Sequence, residues 1–110
     1  MIQTFKIQGS GTDPYSTNFL HTDTTFSAQC SCPAGVKQQL CKHIISILEG
    51  EIPKGLIDGD KNQISSISKA FQSSETGAAY DAYLQLNTEI ELLKKDLANQ
   101  KKQVARMLYK

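Results

Sequence analysis

Four residues in one short stretch have the types and spacing to hold a metal ion. Cys30, Cys32, Cys41 and His43 follow the pattern C-x-C, eight residues, C-x-H, which takes in every cysteine of the chain and one of its two histidines. Three thiolates and an imidazole make a full tetrahedral set for Zn2+, which prefers sulfur at about 2.3 Å and nitrogen at about 2.0 Å. Four protein ligands also close such a site, leaving no position for water or substrate. One structural zinc is therefore expected, and a catalytic metal is not.

Geometry dictates how the backbone must run to close the set. Sulfurs around one zinc lie about 4 Å apart, whereas residues i and i+2 of an extended strand are about 6.5–7 Å apart. The chain must bend between Cys30 and Cys32, and Pro33 and Gly35 suit a tight turn. On a regular helix, i and i+2 point about 200° apart. Cys41 and His43 can then share a metal only if Cys41 sits at or before a helix start, with His43 in the first turn. Ile44, Ile45, Ile47 and Leu48, followed by Gly50, read as that short helix and its stop. The helix dipole favours a thiolate at its N-terminus.

Other uses of these residues fit less well. A disulfide would leave an odd cysteine and requires an oxidising compartment, and the opening Met1-Ile-Gln-Thr-Phe-Lys lacks the basic and apolar regions of a signal peptide. A catalytic Cys–His pair has no use for two further cysteines, and nothing supplies a third, orienting group. A redox or free-thiol role is the remaining alternative. His21 is the other histidine, but the tetrahedral set is full without it.

The Cys-Ser-Cys-Pro-Ala-Gly run, the Cys-Lys-His-Ile run and the strand-rich approach from Phe5 to Gln29 resemble the SWIM-type zinc finger family. The resemblance covers about the first half of the chain, and all four ligand positions match. It implies a small ββα zinc module of a kind found alongside transposases, chromatin-type ATPases, kinases and small bacterial proteins. The implied role is zinc-stabilised binding to DNA or to protein partners. From about Glu51 onward the resemblance says nothing.

Composition bounds the partners. At 110 residues the chain has room for one small domain and an appendage, or two very small units. The formal net charge is +1, and three thiolates around one Zn2+ would bring it to about zero. A dedicated nucleic-acid binder is usually clearly basic on one face. No apolar run approaches the ~18 residues of a membrane span. Cysteines in metal spacing without a secretion signal point to a reducing cytoplasm.

The elements that must position the ligands come next. Ile2 to Gln8 alternates, giving a first strand with Phe5 and Ile7 facing inward. Gly9 to Pro14 is a turn cluster. Tyr15 to His21 reads as a second strand with Tyr15, Thr17 and Phe19 in phase. Thr22-Asp23-Thr24 is the reversal, and Thr25 to Cys30 is a third strand with Phe26 and Ala28 in phase with Cys30. The apolar face of a three-stranded antiparallel sheet thus leads into the metal site. The aromatics Phe5, Tyr15, Phe19 and Phe26 are expected to form its core, a base-stacking platform being the alternative. In the loop Pro33–Leu40 and beyond, Lys37, Lys42 and Lys54 are the available contacts for a phosphate or an acidic partner, or simply solvated surface.

Residues 50–60 carry Pro53, Gly55 and Gly59 and read as a linker. Asp60-Lys-Asn-Gln63 resembles a capping box opening a helix with Ile64, Ile67 and Phe71 on one face. Ser73 to Gly77 breaks or restarts the chain. Beyond it Tyr83, Leu86, Ile90, Leu93, Leu97, Gln100, Val104 and Met107 recur in steps of three and four, an a/d seam over about four heptads. A helix of about 35 residues is roughly 50 Å long, more than a domain this small can cover. A parallel homodimer is the expected arrangement, with Glu89 and Asp96 at g positions facing Lys94 and Lys101 at e positions of the partner. A hairpin against helix 60–72, or burial of the seam in another protein, is the alternative.

The expected protein is α+β: a zinc module over residues 1–50, a linker and short helix over 51–74, and a long coiled-coil-like helix over 75–110. Its expected function is non-enzymatic binding of an unidentified protein partner, with DNA or RNA as the alternative target. An enzymatic reading has no pocket carboxylates or base to rest on.

Overall fold

The computed structural model describes residues 2–23 and 25–110. Three strands form an antiparallel meander: β1 (Ile2–Ile7), β2 (Tyr15–His21) and β3 (Phe26–Cys30). Period-two alternation sends Phe5, Ile7, Thr17 and Phe19 to one face, where all four are fully buried. Register aligns Phe5 with Thr17 and Thr17 with Cys30, so a single cross-strand row runs from the middle of the sheet to the first metal ligand. The Thr22 N–H donates to the Thr25 carbonyl at 2.9 Å at the β2–β3 turn. Thr24, part of the expected reversal, lies outside the described residues.

The sheet has four strands, not three. Leu56–Asp58 forms β4, which pairs antiparallel with β1 through Lys6↔Asp58 and Ile7↔Leu56, giving the order β3-β2-β1-β4. The segment had read as linker because Pro53, Gly55 and Gly59 mask three strand residues that have a partner on one side only. The Gln8 N–H extends the pairing by donating to the Gly55 carbonyl at 2.8 Å.

Helices cover the inner face. Pro33–Val36 forms a single turn, α1, within what had read as an irregular loop. Pro33 in its first turn has no N–H to lose there. The helix α2 (Lys42–Leu48) follows, and α3 (Ile64–Gln72) is entered through a 3-10 turn over Lys61–Gln63. Asp60 caps that turn by accepting from the Asn62 N–H. The reciprocal half of a capping box is not made, because the Gln63 side chain accepts from Gln3 instead. Ile64, Ile67 and Phe71 are buried on one face of α3, as their spacing requires. Ser68 ties α3 to α2 by donating to the Leu48 carbonyl at 2.8 Å. The rings of Phe5 and Phe19 meet edge-on at 6.0 Å, and Phe26 contacts Phe71 at 5.4 Å, joining sheet to helix. Of the four sheet aromatics, Phe5 and Phe19 are core, and Tyr15 and Phe26 are half-buried.

The chain divides into two compact units, Met1–Gly77 and Ala78–Lys110. Residues 51–74 thus belong to the first unit, through the β1–β4 pairing and the α2–α3 contact, rather than standing between modules. The second unit is the body of α4 (Glu75–Leu108), whose start is capped by Ser74 Oγ accepting from the Gly77 N–H. No helix among the described residues is long and apolar enough to cross a membrane.

Candidate metal centre

Each ligand sits at the end of an element. Cys30 is the last residue of β3, Cys32 is the N-cap of α1, Cys41 is the N-cap of α2, and His43 lies in the first turn of α2. The backbone bends sharply between Cys30 and Cys32, and Cys41 stays extended ahead of the helix, as closure of the set demands. The four potential ligand atoms all lie within 4.8 Å of one another, and all four residues are buried. His43 turns Nδ1 toward the cluster, 3.8 Å from Cys30 Sγ. Its ring lies against Tyr15, with centroids 5.4 Å apart.

Hydrogen bonds point at the sulfurs. The Gly35 N–H donates to Cys32 Sγ at 3.3 Å, and the Ile44 N–H to Cys41 Sγ at 3.4 Å, so each N-cap sulfur takes up a free donor of its helix. Thr17 Oγ1 lies 3.3 Å from Cys30 Sγ. All three cysteines are free thiols.

The electrostatics of the cluster call for a cation. Burial pushes the Cys41 thiol up to about 12, with the Ile44 N–H opposing the rise and negative charge on Cys30 adding to it. Burial resists ionisation of Cys32 too. There the Gly35 N–H, the neighbouring thiols of Cys30 and Cys41 and the Ala34 N–H outweigh it, and the pKa falls below the usual thiol value. Burial, and then the positive charge of Lys42, hold His43 below the usual imidazole range, which keeps the ring neutral as a ligand must be. Three sulfurs packed this closely can all ionise only if a cation joins them, and a divalent ion that prefers sulfur and nitrogen meets that need.

These are the features of a closed structural zinc site. Residues 24–49 match the family described as SWIM zinc finger. That segment is a SWIM zinc finger. The match ends one residue after Leu48, the last buried residue of α2, so β1, β2, β4, α3 and α4 lie outside it. Comparison with curated proteins and with solved structures gave no match. In the finger, Cys30, Cys32, Cys41 and His43 form a cluster compatible with one structural zinc, which they would hold and which would supply charge neutralisation and a crosslink between β3, α1 and α2.

Of the other expected site residues, Lys42 and Lys54 line one shallow hollow, together with His43, Ser46 and Glu51. Lys37 is the C-cap of α1 and does not line that hollow. All three lysines are exposed. His21 stays out of the ligand set and stacks on Phe26 with centroids 6.1 Å apart. Two contributors to the site went unread in the sequence. Thr17 had been placed only as a core strand residue, and its pairing with Cys30 depends on register.

Gly35 is the second. A Cβ added there would collide with the backbone carbonyl of Cys30, so α1 can fold back onto the end of β3 only because position 35 has no side chain. Gly35→Ala is expected to lower zinc affinity roughly tenfold to hundredfold, from about 1–3 kcal/mol of overpacking against backbone that cannot yield. Competition with a chromophoric chelator measures it, and unchanged affinity would mean that the turn is not held this tightly.

Proposed function

We propose that this protein is a non-enzymatic binding module in which the zinc finger contacts another protein and α4 pairs two copies of the chain in parallel. The observation that carries this reading is the seam on α4. Leu93 is 65% exposed and Leu97 71% exposed, and Tyr83, Leu86, Ile90, Val104 and Met107 are exposed along the same row. An apolar row of this length calls for a partner surface.

Charge selects a second copy in parallel. The g positions carry Glu89 and Asp96 and the e positions Lys94 and Lys101. In a parallel pair each g faces an e of the partner, acid against base. In an antiparallel pair g faces g and e faces e, which sets like charges together. Ile90 and Val104 at a with Leu86 and Leu93 at d also favour two parallel strands. Because the finger precedes the coil in the chain, a parallel pair carries both fingers at the same end and binds a repeated target with avidity. Thiolate ligation suits a reducing compartment.

Nucleic acid is the second reading, supported by the proximity of Lys42 and Lys54 in one hollow, though Glu51 shares it. Fluorescence anisotropy with a duplex DNA and a single-stranded RNA probe at about 50 mM salt separates the two. The protein reading expects no saturable binding. Binding that weakens steeply with salt, and is lost in a Lys42→Glu/Lys54→Glu variant, would replace it with the nucleic-acid reading.

A further inference from the structure

The Thr17 hydroxyl stands out from its surroundings. It occupies an inner-face position of β2 and is fully buried, where a valine of the same shape would fill the space without burying a polar atom. A buried hydroxyl needs a hydrogen-bond partner, and Thr17 Oγ1 lies 3.3 Å from Cys30 Sγ, across the β2–β3 pairing that sets these two residues opposite each other.

We infer that Thr17 is a positioning residue of the metal centre, its hydroxyl donating to the Cys30 thiolate and fixing that sulfur for the metal. In the free thiol either atom could donate. A metal-bound sulfur has no proton, so once zinc is held the hydroxyl must be the donor. The pattern around the other sulfurs shows why Cys30 requires this. Cys32 and Cys41 each open a helix and receive a backbone N–H, from Gly35 and Ile44. Cys30 closes a strand and has no helix N-terminus beneath it. Thr17 supplies by side chain what α1 and α2 supply by backbone, so each of the three thiolates has at least one donor. Such outer-shell donors orient a ligand and spread its negative charge. The inference rests on the zinc centre and is independent of what the module binds.

The test uses the full chain with Thr17→Val, which keeps the shape and removes the hydroxyl, and Thr17→Ser, which keeps the hydroxyl. Thr17→Val is expected to bind zinc about 10–100-fold more weakly in competition with a chelator dye. In the cobalt-substituted protein its sulfur-to-metal charge-transfer band should shift to lower energy, because an unsupported thiolate gives up an electron more easily. Thr17→Ser should match the wild type in both. Zinc affinity within about twofold of wild type and an unshifted band in Thr17→Val would overturn the assignment. So would a Thr17→Ser protein as weak and as shifted as Thr17→Val, since shape rather than the hydroxyl would then matter. Should Thr17→Val not fold even with saturating zinc, the band of Thr17→Ser decides alone, its wild-type position supporting the role and a shift overturning it. A wild-type protein that takes up no zinc removes the centre itself, a failure distinguishable from the others.

Discussion

Stripping zinc from the protein is expected to unfold the unit that ends at Gly77 while leaving the helical signal of α4. The buried core of that unit is small: three phenylalanines, a handful of aliphatic residues and three cysteines whose packing surrounds the metal site. Units of this size seldom hold without a staple. A structural zinc supplies about 10 kcal/mol of apparent folding free energy near neutral pH, comparable with the whole stability of a small domain. Without it, three buried thiols and a buried imidazole keep only weak hydrogen bonds, and the ends of β3, α1 and α2 are no longer joined. Cys41→Ala should do the same permanently, since it removes the ligand that opens α2. The chain has no tryptophan, so the dispersion of amide proton resonances is the measurement of choice, with metal content read by elemental analysis. Protein that purifies without stoichiometric zinc, or whose spectrum survives exhaustive chelation unchanged, would refute the role given to the metal.

The second large effect lies in α4, and two adjacent leucines isolate it. Leu92 is 58% exposed and Leu93 is 65% exposed, so in an isolated helix they are nearly equivalent. In a parallel coil Leu93 is a d residue on the seam, whereas Leu92 is a c residue facing solvent. Alanine is the better helix former, so neither Leu→Ala change weakens the helix itself. Truncating a buried leucine costs about 2–5 kcal/mol, and each dimer would lose two. Leu93→Ala should therefore weaken dimerisation by ~10^3-fold or more, while Leu92→Ala leaves it within about threefold. Sedimentation equilibrium over a range of concentrations reads both. Equal effects of the two changes, or a monomeric wild type at high concentration, would rule out this seam.

Much of the metal site could be read in the sequence because its constraints are local. The spacing from Cys30 to His43, the bend needed after Cys30 and the helix needed after Cys41 all follow from ligand geometry within one short segment. The inner faces of β1 to β3 were legible for a related reason, since alternation marks Phe5, Ile7, Thr17 and Phe19 one residue at a time. What could not be read depends on residues distant in sequence. The strand β4 exists because Leu56–Asp58 meets the free edge of β1, and its own residues sit among turn signals. Gly35 looked like a turn residue, and only the approach of α1 to the Cys30 carbonyl shows why nothing larger fits. Thr17 became part of the site through a register that alternation alone does not set.

The pairing of β1 with β4 also orders events in time. The metal ligands are close neighbours along the chain, with Cys30 and His43 thirteen positions apart, whereas Lys6 must wait for Asp58, about fifty positions later. Loop closure penalises the longer search, though only logarithmically. On a chain emerging from a ribosome the difference is starker: the ion can be captured while the strand that completes the sheet is still enclosed in the exit tunnel. Metal supply can therefore act on this protein during its birth, before there is a finished fold to stabilise.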